Sequence, residues 1–169
     1  LLGMPVTAQV FERPVEAIEA FVERQSQGSL AIPLSGFVDG GVDHVTVSGA
    51  VTRHVWQFSN VGNDSFQVMA PFRPALLAQG FTPVFECADV QCGGFDYRFA
   101  VDVGPPPEMF VDLGDFRVLT VRRVAEEAET YVTLLASVAG STGFLQIGQV
   151  GPPDETQRGG IVTSTKVVE

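Results

Sequence analysis

Lysine is almost missing from this chain: Lys166 stands alone against nine arginines in 169 residues. Basic residues total 10 against 20 acidic ones, a formal net charge of -10. That shortage argues against nucleic acid as a partner, because such a surface needs phosphate-neutralising Lys and Arg and only Arg122-Arg123 stand together. Attachment to anionic lipid is unexpected on the same ground. No run approaches the ~20 apolar residues that cross a bilayer, so no direct membrane span is expected. Catalytic motifs are also absent: there is no Gly-x-Ser-x-Gly elbow, phosphate loop, His-Glu-x-x-His or dinucleotide fingerprint. Gly140-Ser141-Thr142-Gly143 is turn chemistry. Ser164 and Lys166 form a Ser/Lys pair only within an expected tail, where nothing would lower the lysine pKa. The expectation is a non-enzyme with no catalytic residue, metal or cofactor.

What the chain does hold is apolar mass, 45% of residues including 13 Phe, enough for one domain with a real core. It begins at Leu1 rather than Met, a start that removal of a signal peptide would leave, as would an internal boundary. The most informative stretch runs from Glu86 to Phe99 and contains both cysteines, Cys87 and Cys92, with Gly93-Gly94 directly after. Two cysteines can make a disulfide, half a metal site or a redox pair. The spacing departs from the Cys-x-x-Cys of redox motifs, and His44 and His54 are too distant in sequence to complete a zinc set. A disulfide between Cys87 and Cys92 is therefore the favoured reading. It would place the chain in an oxidising compartment, and so short a loop contributes only about 2 kcal/mol.

Periodicity supplies the rest of the outline. Pro14 to Arg24 puts Val15, Ile18, Phe21 and Val22 at helical spacing, which predicts an N-terminal helix within a segment 1–30. Val42 to Phe58 reads as a strand interrupted at Gly49 by a bulge or turn. Asp64 is a helix N-cap, and Pro71 and Pro74 either kink the helix that follows or delay its proper start to near Ala70, with its end at Gly80. Thr82–Cys87 and Phe95–Val101 are expected to form a stapled hairpin. Phe116–Arg123 and Tyr131–Val138 are strands joined through the acidic turn at Glu126-Glu127, and Phe144–Val150 is a last edge strand. The expected fold is α+β: a mostly antiparallel sheet of five or six strands, with one main helix packed on it and the N-terminal helix beside it. Residues 31–150 would form the domain and 151–169 a linker or tail.

One polar set stands out. If Phe95–Phe99 is a strand, Phe95, Tyr97 and Phe99 face one way and Asp96 and Arg98 the other. Asp112, Asp115 and Arg117 lie in neighbouring extended chain, so a cross-strand carboxylate–guanidinium network is one reading and a solvated sheet face the other. With Trp56, this set forms the candidate recognition patch: Trp56, Asp96, Tyr97, Arg98, Asp112, Asp115 and Arg117. Trp56 also reads as core. Asn63-Asp64-Ser65 matches a glycosylation sequon, which matters only in a eukaryotic secretory pathway.

Several segments together resemble a known family. They are Ala31–Phe37, Val47–Trp56, Ala70-Pro71-Phe72-Arg73, Cys87–Phe99 and Pro107–Arg117, spanning roughly residues 30–150. They resemble the N-terminal periplasmic domain of OmpA-family proteins from alphaproteobacteria of the Rhodobacter type. Cys-x4-Cys-Gly-Gly-Phe-Asp is the most specific part. The resemblance implies a periplasmic location, the Cys87–Cys92 disulfide, and an envelope protein as partner. It also implies that peptidoglycan is contacted only through a C-terminal domain expected to begin near Glu169. It supplies no catalytic residues. The functional expectation is a protein–protein interaction or scaffold module near the outer membrane. The alternative is a small-ligand or glycan-binding domain with a pocket between helix and sheet near Trp56 and Tyr97.

Overall fold

The structure, a computed structural model, describes residues 11–59 and 62–152 and the backbone of 164–168. It is organised by one antiparallel sheet. Its strands are β1 (Ala17–Val38), β2 (Gly41–Ser59), β3 (Thr82–Ala88), β4 (Phe116–Ala125), β5 (Ala128–Ala139), β6 (Thr142–Gly151) and β7 (Ser164–Val168). The spatial order is β3-β4-β5-β6-β2-β1-β7. Six of the seven strands lie within residues 17–151, and the class is α+β as expected. Asn60-Val61, most of the expected linker (153–163) and the side chains of Ser164 and Lys166 lie outside the described residues.

A bent helix covers one face. Its halves are α1 (Ser65–Met69) and α2 (Phe72–Ala78), separated at Ala70-Pro71 where proline removes a backbone donor. Asp64 caps α1 with a full capping box: its carboxylate accepts from the Gln67 amide, and the Gln67 side chain accepts from the Asp64 amide. Met69, Phe72 and Leu76 then pack on Trp56, Leu119, Leu134 and Leu145 from the sheet. A second, short helix, α3 (Gly94–Ala100), lies on the opposite face, where Tyr97 joins Phe21, Val55, Phe116, Val118 and Leu135.

The expected N-terminal helix is a strand. Residues 17–30 are the first half of β1, which crosses the expected boundary at residue 30 without a break and pairs with both β2 and β7. The physical reason is a bulge between Glu19 and Phe21. The extra residue resets the alternation, so Phe21 and Val22 are buried as adjacent residues and the apolar spacing imitates a helix. The residues of the supposed apolar helical face do not share a fate: Val15 and Ile18 are exposed.

Two further expectations change. Phe95–Val101 is not the return strand of a hairpin, because Gly93 and Gly94 both take positive φ (117° and 55°) and turn the chain into α3. Phe144–Val150 is a strand but not an edge: β6 pairs with β5 on one side and β2 on the other, at the centre of the sheet. The turn at Glu126-Glu127 is found where expected, with both glutamates at positive φ (52° and 63°) between β4 and β5. Gly49 marks a bulge rather than a hairpin turn, with β1 shifting register opposite it between Gln25 and Gly28.

The β1–β2 hairpin is longer than the sheet that carries it. Pairing runs from Ala17↔Phe58 to Val38↔Gly41, yet β2 contacts β6 only over Ala50–Ser59. The distal part is a two-stranded arm, closed by a turn with Asp39 and Gly40 at positive φ. Register shifts at Gln25/Gly28 and Pro33/Phe37 bend it over the α3 face.

Candidate functional site: a cavity beneath the hairpin arm

The arm is held down at two points. Thr120 Oγ1 in β4 donates to the Pro33 carbonyl at 2.9 Å, and the Phe37 amide donates to the Cys92 carbonyl at 2.6 Å. The second contact depends on glycine on both sides. A Cβ on Gly36 would lie 2.8 Å from the Cys92 oxygen, and one on Gly93 would lie 2.6 Å from Phe37 Cβ. Cys92, fully buried, is bonded to Cys87 at the end of β3. The disulfide thus fixes the loop on which the arm lands. A disulfide also belongs to an oxidising compartment, as in exported proteins. Among the described residues no helix is long and apolar enough to cross a membrane.

Between the arm, α3 and the sheet lies a cavity of about 240 Å³. Its apolar wall includes Leu30, Pro33, Val118 and Leu135, with Tyr97 contributed by α3. Tyr97 is buried against Phe116, ring centroids 6.1 Å apart, and burial pushes its phenol pKa well up, so the hydroxyl stays protonated.

The polar end is built by Arg53. As the register partner of Glu23, it pairs with that carboxylate at 2.6 Å, and a second nitrogen reaches Asp102 at 3.3 Å. Gln146 Nε2 donates to the Asp102 carbonyl at 2.9 Å, while its Oε1 accepts from the Gly104 amide at 2.7 Å. Together these bonds tie the segment after α3 to β6. Arg53 Nε is buried without a partner.

The next residue along β2 points to the opposite face. His54 is buried, and its Nδ1 donates to Glu19 Oε1 at 2.5 Å. Burial lowers its pKa below the ordinary 6.5, with the bond to Glu19 acting as the smaller opposing effect. Nε2 has no partner, so a second proton would create an unsatisfied buried donor.

The seven residues of the expected recognition patch take up separate structural settings. Trp56 is fully buried beneath the bent helix, between Phe11 and Phe72, and cannot touch an outside partner. Tyr97 is buried as described above, while Asp96 and Arg98 lie on α3, Arg98 resting on the exposed ring of Phe99 at 5.1 Å. Asp112 closes a turn by accepting from the Gly114 amide at 2.8 Å. Asp115 Oδ1 accepts from the Ser65 amide at 3.0 Å, which joins the start of α1 to the start of β4. Arg117 stacks over Phe66 at 5.0 Å. Among the described residues, no carboxylate of this set forms an ion pair with Arg98 or Arg117, so of the two readings the cross-strand network does not form.

Arg53, Asp102 and Gln146 carry the polar end instead. For Arg53 a signal was present, since alternation along β2 places it opposite the Trp56 face. For Asp102 and Gln146 there was none, because their meeting depends on strand order. No group of three or more His, Cys, Asp or Glu side chains is gathered for a metal ion among the described residues.

Comparison with models of known protein families yields no match, and none of the curated proteins matches the chain.

Proposed function

We propose that the chain is a non-enzymatic periplasmic module of a bacterial cell-envelope protein, similar to those of the OmpA family, that works by contact with another envelope protein. The disulfide supports an exported location. In this reading peptidoglycan is held by a following wall-binding domain and not by these residues.

One observation carries the contact reading. Helix α3 exposes Phe95 and Phe99 at 62% and 67%, four residues apart with ring centroids 4.7 Å from each other, and Val90 on the preceding turn is 87% exposed. Four-residue spacing sets both rings on one side of the helix, and the neighbouring disulfide keeps the segment rigid. Two exposed rings in contact on a chain this acidic support an interaction surface. Rigid aromatic anchors are what protein interfaces use, since they lose little entropy on binding.

Photo-crosslinking in the exported protein tests this reading. A benzoylphenylalanine at position 95 or 99 is expected to give one discrete adduct in cells. The same group at Val15, more exposed still at 103% but remote in sequence, is expected to give none. No adduct from 95 and 99, or the same products from all three positions, would refute the proposal.

A further inference from the structure

The cavity beneath the arm is a feature that the contact reading does not use. Protein interiors hold few voids larger than a water molecule, whose share of liquid volume is about 30 Å³. A space of about 240 Å³ is several times that size. Small residues border it on three sides: Ala31 from the arm, Ala100 from α3 and Gly148 from β6. Ala31, Ala100 and Asp102 are exposed, which leaves a route from solvent.

From these features we infer that the cavity is a binding site for a small uncharged molecule with an apolar body and one hydrogen-bonding end. The size argument is direct. An apolar cavity of about 150 Å³ takes benzene, so this one suits roughly ten non-hydrogen atoms. That is smaller than a drug-sized ligand, whose sites start near 300 Å³.

The charge argument sets the class. Arg53 is the one Lys or Arg among the residues that line the wall, with His44 the one histidine, and Glu23 and Asp102 already hold Arg53, so the guanidinium brings no uncompensated positive charge. A carboxylate or phosphate would meet Asp102 and a guanidinium already paired with two carboxylates, which costs an anion hydration for a cation that is already compensated. An uncharged head meets no such penalty. Arg53 Nε is a buried donor without an acceptor, and Tyr97 adds a phenol that burial keeps protonated. The apolar body then lies against Leu30, Pro33, Val118 and Leu135.

The test uses the full oxidised chain with two probes of equal ring size. 2-Naphthol is uncharged with a single hydroxyl, and 2-naphthoate replaces that hydroxyl by a carboxylate. Calorimetric titration is expected to show saturable one-to-one binding of 2-naphthol, and at least tenfold weaker binding of 2-naphthoate. Amide chemical shifts should move at Leu30, Val118 and Gly148. Ala100→Trp, which places an indole at the mouth, should abolish binding while the near-ultraviolet dichroism of the sheet core is kept. Should that variant misfold, the shift map on the unmodified chain decides alone. Absence of saturable binding at millimolar probe, shifts clustered away from the cavity, or 2-naphthoate binding as well as 2-naphthol would each overturn the inference.

Discussion

Opening the Cys87–Cys92 disulfide should loosen the arm before it loosens the sheet. The closed loop is short, with a sequence separation of 5. Chain-entropy arguments then assign the crosslink about 2 kcal/mol, near the low end of what disulfides contribute. In a domain of this size 1 kcal/mol moves the midpoint by about 2–4 °C, so reduction should lower it by about 4–8 °C. Cys87→Ala/Cys92→Ala should lose somewhat more than reduction does, because Cys92 is fully buried among Tyr97, Met109 and Phe116 and the smaller side chain leaves a void. The local effect is the sharper reading. Phe37 donates its amide to the Cys92 carbonyl, so hydrogen exchange at Phe37 should accelerate strongly on reduction while Val121 and Leu134, in the sheet core, keep their protection. Denaturant titrations with and without reductant give the global figure, and exchange monitored by NMR gives the local one. An unchanged midpoint, or a Phe37 amide that exchanges no faster once the sulfurs are free, would refute the view that the staple positions the arm.

Three other outcomes follow from the same contacts. His54 has a folded pKa below 6.5, so the folded state binds fewer protons than the unfolded chain, and its contribution is present above pH 6.5 and lost as pH falls toward the folded value. Thermal midpoints should therefore drop from pH 7.5 to pH 5, and His54→Gln, which keeps a donor for Glu19, should flatten that slope. Gly49→Val should destabilise by about 1–3 kcal/mol in urea unfolding, because even a Cβ there would lie 2.3 Å from the Gly151 oxygen across the sheet. Asp64→Ala removes both the acceptor for the Gln67 amide and the reciprocal arrangement of the capping box, and should cost about 1 kcal/mol by the same measurement.

Features decided within a few residues of chain were legible beforehand. Asp64 caps α1 because a short carboxylate reaches the amide three residues on. Pro71 breaks the helix because it has no N–H to donate to the turn before it, whereas Pro74 sits in the first turn of α2, where none is needed. Glu126-Glu127 turns because the two runs it joins alternate in register and can pair only if it does. Two cysteines with four residues between them bond because the spacing lets them meet, given an oxidising medium.

Only the tertiary structure settled what those local rules left balanced. The segment 17–22 has an apolar spacing that suits a helix, but as a strand it pairs on both sides, and those long-range backbone bonds outweigh propensity. The segment 95–99 alternates like a strand, yet Gly93 and Gly94 at positive φ redirect it into α3. Asp112, Asp115 and Arg117 took structural posts in turns and stacks, while Arg53, Asp102 and Gln146, far apart along the chain, came together under an arm whose curvature no short window encodes. The sequence by itself determined the caps, the breaks, the β4–β5 turn and the disulfide, because each is settled by atoms a few bonds apart. Strand order, the central place of β6 and the cavity came only from the assembled sheet, because they depend on which distant surfaces bury each other.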